Sequence, residues 1–202
     1  MEFWYLWVIF AVLCVVTIFV LLKASKALRG HNEETKRAYA QIERLTALKA
    51  DFRGASAEKV LSEEAARVLD GAFAVLQAQL EGDADPDRRF AEMNEPQQNI
   101  YTLYWLVQDM QTSLSFFFKN NGEPLRAFCP RALHAVGENT LGEIAGKMYA
   151  MFDETNESVS LEQETLDALD ADFSKVFARD ALLMRLRDYA AEHAAAVFGT
   201  AE

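Results

Sequence analysis

The chain has 202 residues, 51% of them hydrophobic, with 20 Lys+Arg against 31 Asp+Glu, a formal net charge of −11 and only two cysteines. This composition excludes a disulfide scaffold, a collagen-like repeat and a disordered tail. Nine glycines and four prolines are too few for the turns of a sheet-rich barrel and point to a helix-rich chain of ordinary domain size.

From Phe3 to Leu22 the chain reads FWYLWVIFAVLCVVTIFVLL, in which only Cys14 and Thr17 depart from large apolar side chains or alanine. At about 1.5 Å per residue this stretch is roughly 30 Å long, the thickness of a bilayer's hydrocarbon core. Phe3, Trp4, Tyr5 and Trp7 crowd one end, where indole and phenol rings keep polar atoms at the headgroups. A cleavable signal peptide, with small residues at Ser25 and Ala27, competes with a retained span, but signal peptides carry a basic start and a shorter apolar core. Lys23, Lys26, Arg29, Lys36 and Arg37 follow the span, and basic flanks stay on the cytoplasmic side. The expected protein is therefore single-pass, with its C-terminal domain cytoplasmic. Cys14 in the bilayer and Cys129 beyond it are expected as free thiols.

Charge divides the remainder. Residues 23–54 hold eight basic and four acidic residues, a net of +4. Residues 55–202 hold 12 basic and 26 acidic residues, a net of −14. The expected organisation is a transmembrane span over 1–22, a basic juxtamembrane helix over 23–54 and an acidic all-α domain over 55–202. Anionic headgroups attract the basic part and repel the acidic one, and the acidic field opposes direct nucleic-acid binding.

Tyr39, Ile42, Leu45, Leu48 and Phe52 recur at steps of three and four, which predicts one helix from Thr35 to Phe52, stopped at Gly54. A second helix is expected after Ser56 to about Leu80, with Val60, Leu61, Val68, Leu69, Phe73, Leu76 and Leu80 facing a core. Glu81–Glu95 reads as a connection, with a short helical piece around Arg88–Met93. Pro96 suits the first turn of a third, central helix capped near Asn94 or Glu95, with Leu103, Leu106 and Val107 in the core. It is expected to run on through QTSLSFFF to Lys119 and to end at Asn120-Asn121-Gly122 in a left-handed cap. The run Phe116–Phe118 is expected as packed core. Further helices fit Leu125–Val136, Leu141–Phe152, Leu161–Val176 and Asp180–Phe198. No alternating strand pattern appears, so the fold class is all-α, a helical bundle behind the span.

The stretch Asn99–Glu154, with IYTLYWL, the aromatic block FFFKNNG and RALHAVGENT, resembles an uncharacterised DUF-type family of DNA-mimic proteins. LDALDADFSKV and the terminal MRLRDYAAEHAAAVF resemble the family's closing helices. The resemblance covers about residues 35–198 and is densest after residue 95. It implies an all-helical domain whose surface carboxylates occupy a DNA-binding partner, and it implies no enzyme. Where the family has Asn-Gly-Gly before the aromatic block, this sequence has Gln111-Thr112-Ser113, so a break between two helices there is expected to become a continuous or kinked helix.

No HExxH, CxxC, P-loop or GxGxxG is present, and no cofactor or metal is expected. Cys129 and His134 are five apart and His134 and Glu138 four apart, spacings that do not build a nucleophilic site. The acids are more informative. No Lys or Arg lies between Lys147 and Lys175, while Asp153, Glu154, Glu157, Glu162, Glu164, Asp167, Asp170 and Asp172 supply eight negative charges. On a helix, Glu164, Asp167 and Asp170 form a slanting row with about 4.5 Å rise per step, of the order of phosphate spacing along DNA. A solvated face is the plainer interpretation of the same residues.

The leading expectation is a membrane-anchored, non-enzymatic acidic helical domain that binds a basic protein partner, one class being DNA-binding proteins. The alternative is a structural or envelope-associated membrane protein, a homo-oligomer through its span and helix 35–53, whose acidic domain has no mimicry role. An unrecognised hydrolase using Cys129 is the third reading.

Overall fold

The computed structural model of the chain describes residues 36, 39–80, 85–152 and 162–200. The predicted span, Cys14, and the acids Asp153, Glu154 and Glu157 lie outside them. Among the described residues no helix is long and apolar enough to cross a membrane. All regular structure there is helical, without a strand, as the periodicity predicts.

The chain divides into two compact units, Met1–Arg44 and Leu45–Glu202. In the first, residues 36 and 39–44 are helical, and Tyr39 and Ile42 are 69% and 60% exposed. The second is an α-helical bundle that opens with α1 (residues 45–52). Residues 45–54, which the charge division places with the juxtamembrane segment, are built into this core: Leu48 and Phe52 are buried and Gly54 N–H donates to the Phe198 carbonyl at 2.9 Å. Gly54 stops α1 with φ +68°, a left-handed conformation that favours glycine.

The expected helix 57–80 is two helices, α2 (Ala57–Ser62) and α3 (Ala65–Leu80). Ser56 caps α2 as expected, accepting the Lys59 N–H. At the other end the Ser62 hydroxyl donates to the Lys59 carbonyl at 2.7 Å and Glu63 turns extended, so a side chain competes with the helical ladder and ends it. The changed phase leaves Leu61 51% exposed rather than in the core, while Val60 is fully buried.

α4 (Pro86–Glu92), capped by Asp85, leads to α5 (Glu95–Asp109). Asn94 and Gln97 form a reciprocal capping box with Pro96 in the first turn. Ile100, Leu103, Leu106 and Val107 place α5 at the centre, against α3, α7 and α10. Four polar residues are buried on it, Gln98, Asn99, Thr102 and Asp109. Gln98 donates to the Phe90 carbonyl and Asn99 to the Tyr189 hydroxyl, both at 3.0 Å, while Asn99 Oδ1 and Thr102 Oγ1 have no partner in the structure.

The helix does not continue through Gln111-Thr112-Ser113. α5 ends in tight turns, with Thr112 N–H on the Asp109 carbonyl, and Ser113, at φ −169°, caps a separate α6 (Leu114–Asn120) through the Phe116 N–H. An extended serine makes this break without glycine, because any residue adopts that backbone. The left-handed cap at Asn121-Gly122 is likewise absent. Asn121 is extended, and its side-chain amide bonds the Phe117 carbonyl and the Asp109 carboxylate, at 2.9 and 2.6 Å. Phe117 and Phe118 are fully buried, as expected, and Phe116 is 40% exposed.

α7 (Leu125–Ala135) and α8 (Asn139–Met151) pack as a hairpin, with α9 (Gln163–Val176) against α8 and α6. The last predicted helix breaks at His193 into α10 (Arg179–Glu192) and α11 (Ala194–Phe198), and Asn94 Nδ2 holds the Ala196 carbonyl at 3.1 Å.

Candidate functional site

Leu166 and Phe173, both fully buried, and Leu169 behind them define the inward stripe of α9. At about 100° per residue, each i→i+3 step along a helix turns the position back by roughly 60°. Glu164 therefore points away from the core, with Asp167 and Asp172 on its two flanks, and all three are exposed. Glu162 precedes the first turn and Glu164 lies in it, where the positive end of the helix dipole favours carboxylates, and Lys175 occupies the last turn.

Asp170 departs from the expected row. Two i→i+3 steps carry it next to Leu166 and Phe173, where its carboxylate accepts the Ser115 N–H at 2.7 Å and the Ser115 hydroxyl at 2.5 Å. Ser115 N–H belongs to the first turn of α6 and has no helical acceptor of its own. Asp170 thus caps α6 from α9 and is partly buried. The row Glu164–Asp167–Asp170 is not one surface feature, and the helical wheel of Leu166, Leu169 and Phe173 carried the signal that identifies Asp170 as the inward member.

The other acids are held locally. Gln163 Nε2 donates to Asp167 at 2.6 Å and Thr165 Oγ1 to Glu162 at 3.2 Å. Lys175 lies 2.8 Å from Asp172. Its hydrogen bond, followed by its charge, holds the Asp172 carboxyl below the ordinary aspartate value. What remains on the outer face is an array headed by Glu162, Glu164 and Asp167, with Asp172 partly neutralised.

The structure does not assemble the thiol chemistry. Cys129 is fully buried, and burial pushes its thiol well above the usual range, away from the reactive thiolate. His134 is exposed, with its Nδ1 3.1 Å from Asn139 Oδ1. Glu138 does not pair with His134 either and meets Arg185 at 2.7 Å. No group of three or more His, Cys, Asp or Glu among the described residues is arranged to hold a metal ion.

The family model described as DMP19-like protein matches residues 91–193, a little over half of the chain, from the end of α4 through α10. No curated protein and no solved structure matches it. The matched segment contains the central helix, the α6 break and the whole of α9, so the chain belongs to the DMP19-like (DNA mimic protein 19) family.

Proposed function

We propose that the chain is a membrane-anchored, non-enzymatic acidic domain that binds a basic, DNA-binding protein by presenting carboxylates where that protein meets phosphates. The observation that carries the reading is the family match over 91–193, which includes the outward carboxylates of α9. The net −14 of residues 55–202 supports it, because a field of that sign attracts a cationic surface from a distance and repels nucleic acid itself. The contact set is Glu162, Glu164, Asp167 and Asp172, extended by Asp153, Glu154 and Glu157 from the neighbouring sequence. Asp170 serves the fold. Anchoring rests on the apolar run Phe3–Leu22, and its basic flank sets the domain in the cytoplasm.

Affinity capture with the full chain as bait, wild type beside Glu162→Gln/Glu164→Gln/Asp167→Asn, tests the partner. The expected result is a basic protein retained by the wild type at about 50 mM salt, and lost by the variant or at about 200 mM, as the Debye length falls to roughly half. Retention indifferent to both changes removes this face from the proposal. Protease added to intact cells tests the topology: the domain is expected to survive, and its cleavage from outside overturns the cytoplasmic placement. A second reading, oligomerisation through the span and the following helix, draws on the exposed Tyr39 and Ile42.

A further inference from the structure

Away from the acidic helix, a cavity of about 410 Å3 is lined by Lys49, Arg53, Val75, Gln79, Gln97 and Phe198 together with Ala78, Gly199 and Thr200. Its volume is that of a small-ligand site, roughly 300–1,000 Å3. No Asp or Glu lines it, although the unit around it is strongly acidic. Lys49 and Arg53 are four residues apart at the end of α1, and Arg53 N–H bonds the Lys49 carbonyl at 3.0 Å, so their side chains leave the same face.

Like charges at this spacing repel. Several cations elsewhere in the unit meet carboxylates: Lys59 and Arg67 share Asp51, Arg131 meets Glu95 and Arg185 meets Glu138. Among the described residues Lys49 and Arg53 have no such carboxylate. The neutral polar groups beside them can donate. Gln97 commits its Oε1 to the Asn94 N–H at 3.1 Å, which leaves its amide hydrogens for the cavity, and Gln79 and Thr200 add an amide and a hydroxyl. Val75 and Phe198 form an apolar wall.

We propose that this cavity binds a phosphate group, carried either by a soluble phosphate ester or by an anionic lipid headgroup. A phosphate monoester brings three acceptor oxygens and between one and two negative charges, and a phosphodiester headgroup two oxygens and one charge, to a guanidinium, an ammonium and neutral hydrogen-bonding groups together. The site does not depend on the partner-binding reading, because it uses none of the α9 carboxylates.

The full chain in neutral detergent, titrated with glycerol 3-phosphate at constant ionic strength, tests the soluble source. The same protein titrated with micelles doped with phosphatidylglycerol tests the headgroup source. Saturable binding in either arm is expected, weakened at least tenfold by Lys49→Gln/Arg53→Gln and unchanged by Lys119→Gln/Arg179→Gln, which removes the same charge elsewhere. All four positions are exposed, and unchanged circular dichroism confirms intact variants. Absence of binding in both arms, binding indifferent to the Lys49/Arg53 pair, or equal weakening by the control pair overturns the proposal.

Discussion

Asp170→Asn separates the structural carboxylate of α9 from the surface ones. In the wild type the Asp170 carboxylate receives two charge-assisted hydrogen bonds from Ser115, at 2.7 and 2.5 Å, and Ser115 is only 6% exposed. Hydrogen bonds to charged groups contribute about 1.5–3 kcal/mol each. Asparagine keeps one acceptor for the Ser115 N–H and turns an amide toward the hydroxyl, so the substitution loses one charged bond and the charge behind the other, about 2 kcal/mol in all. Asp170→Ala also strands an N–H in the first turn of α6 and costs about 3–4 kcal/mol. For a chain of this size about 2 kcal/mol lowers Tm by roughly 4–8 °C. Glu164→Gln/Asp167→Asn, at exposed positions, stays within about 0.5 kcal/mol. Thermal unfolding of the solubilised full chain, followed at 222 nm, measures all three. Wild-type stability in Asp170→Asn, or equal losses in the Glu164/Asp167 pair, refutes the assignment of Asp170 to the α9–α6 junction.

Gly71→Ala is expected to destabilise by about 1–2 kcal/mol. A Cβ at Gly71 overlaps the fully buried Phe52 ring, so an overpacking cost of up to about 3 kcal/mol outweighs the roughly 1 kcal/mol gain in helix propensity, a balance that urea unfolding measures. Asp51, held below the ordinary aspartate value first by its hydrogen bond to Lys59 and then by Arg67, contributes stability that is complete above the unfolded-state pKa near 3.9 and is lost as pH falls through the lower folded value. Asp51→Asn should flatten that part of the stability–pH curve below about pH 4. Cys129, in a Cys14→Ser background, is expected to resist iodoacetamide at pH 8 in the folded protein and to react in urea, since burial suppresses its thiolate. Rapid labelling without denaturant contradicts its place in the core.

Much of the helical framework was legible because it is written in side-chain periodicity. Pro96, with Asn94 or Glu95 near the cap, announced α5, and the spacing of Leu166, Leu169 and Phe173 announced α9. The breaks were less legible, because side-chain hydrogen bonds make them without any glycine or proline. Ser62 on the Lys59 carbonyl divides α2 from α3, and extended Ser113 divides α5 from α6. Pro130 shows the converse, sitting inside α7 without ending it. The acidic face was visible as a run of like charges. Separating its members takes the helical wheel of Leu166, Leu169 and Phe173, which charge counting ignores, and only the partner of Asp170, the start of α6, is tertiary information. The cavity beside Lys49 and Arg53 left no sequence mark, since its walls come from the end of α1, α3, the first turn of α5, and the end of α11 with the two residues after it.

Displacement of DNA tests the central claim most directly. A labelled duplex bound to the captured basic protein, followed by fluorescence anisotropy, is titrated with the full chain at about 50 mM salt. The account predicts that the wild type releases the duplex, that Glu162→Gln/Glu164→Gln/Asp167→Asn releases it at least tenfold less effectively, and that the chain binds no duplex by itself. Partner and chain forming a ternary complex with the DNA still bound, or equal release by the neutralised variant, contradicts mimicry of phosphates by α9.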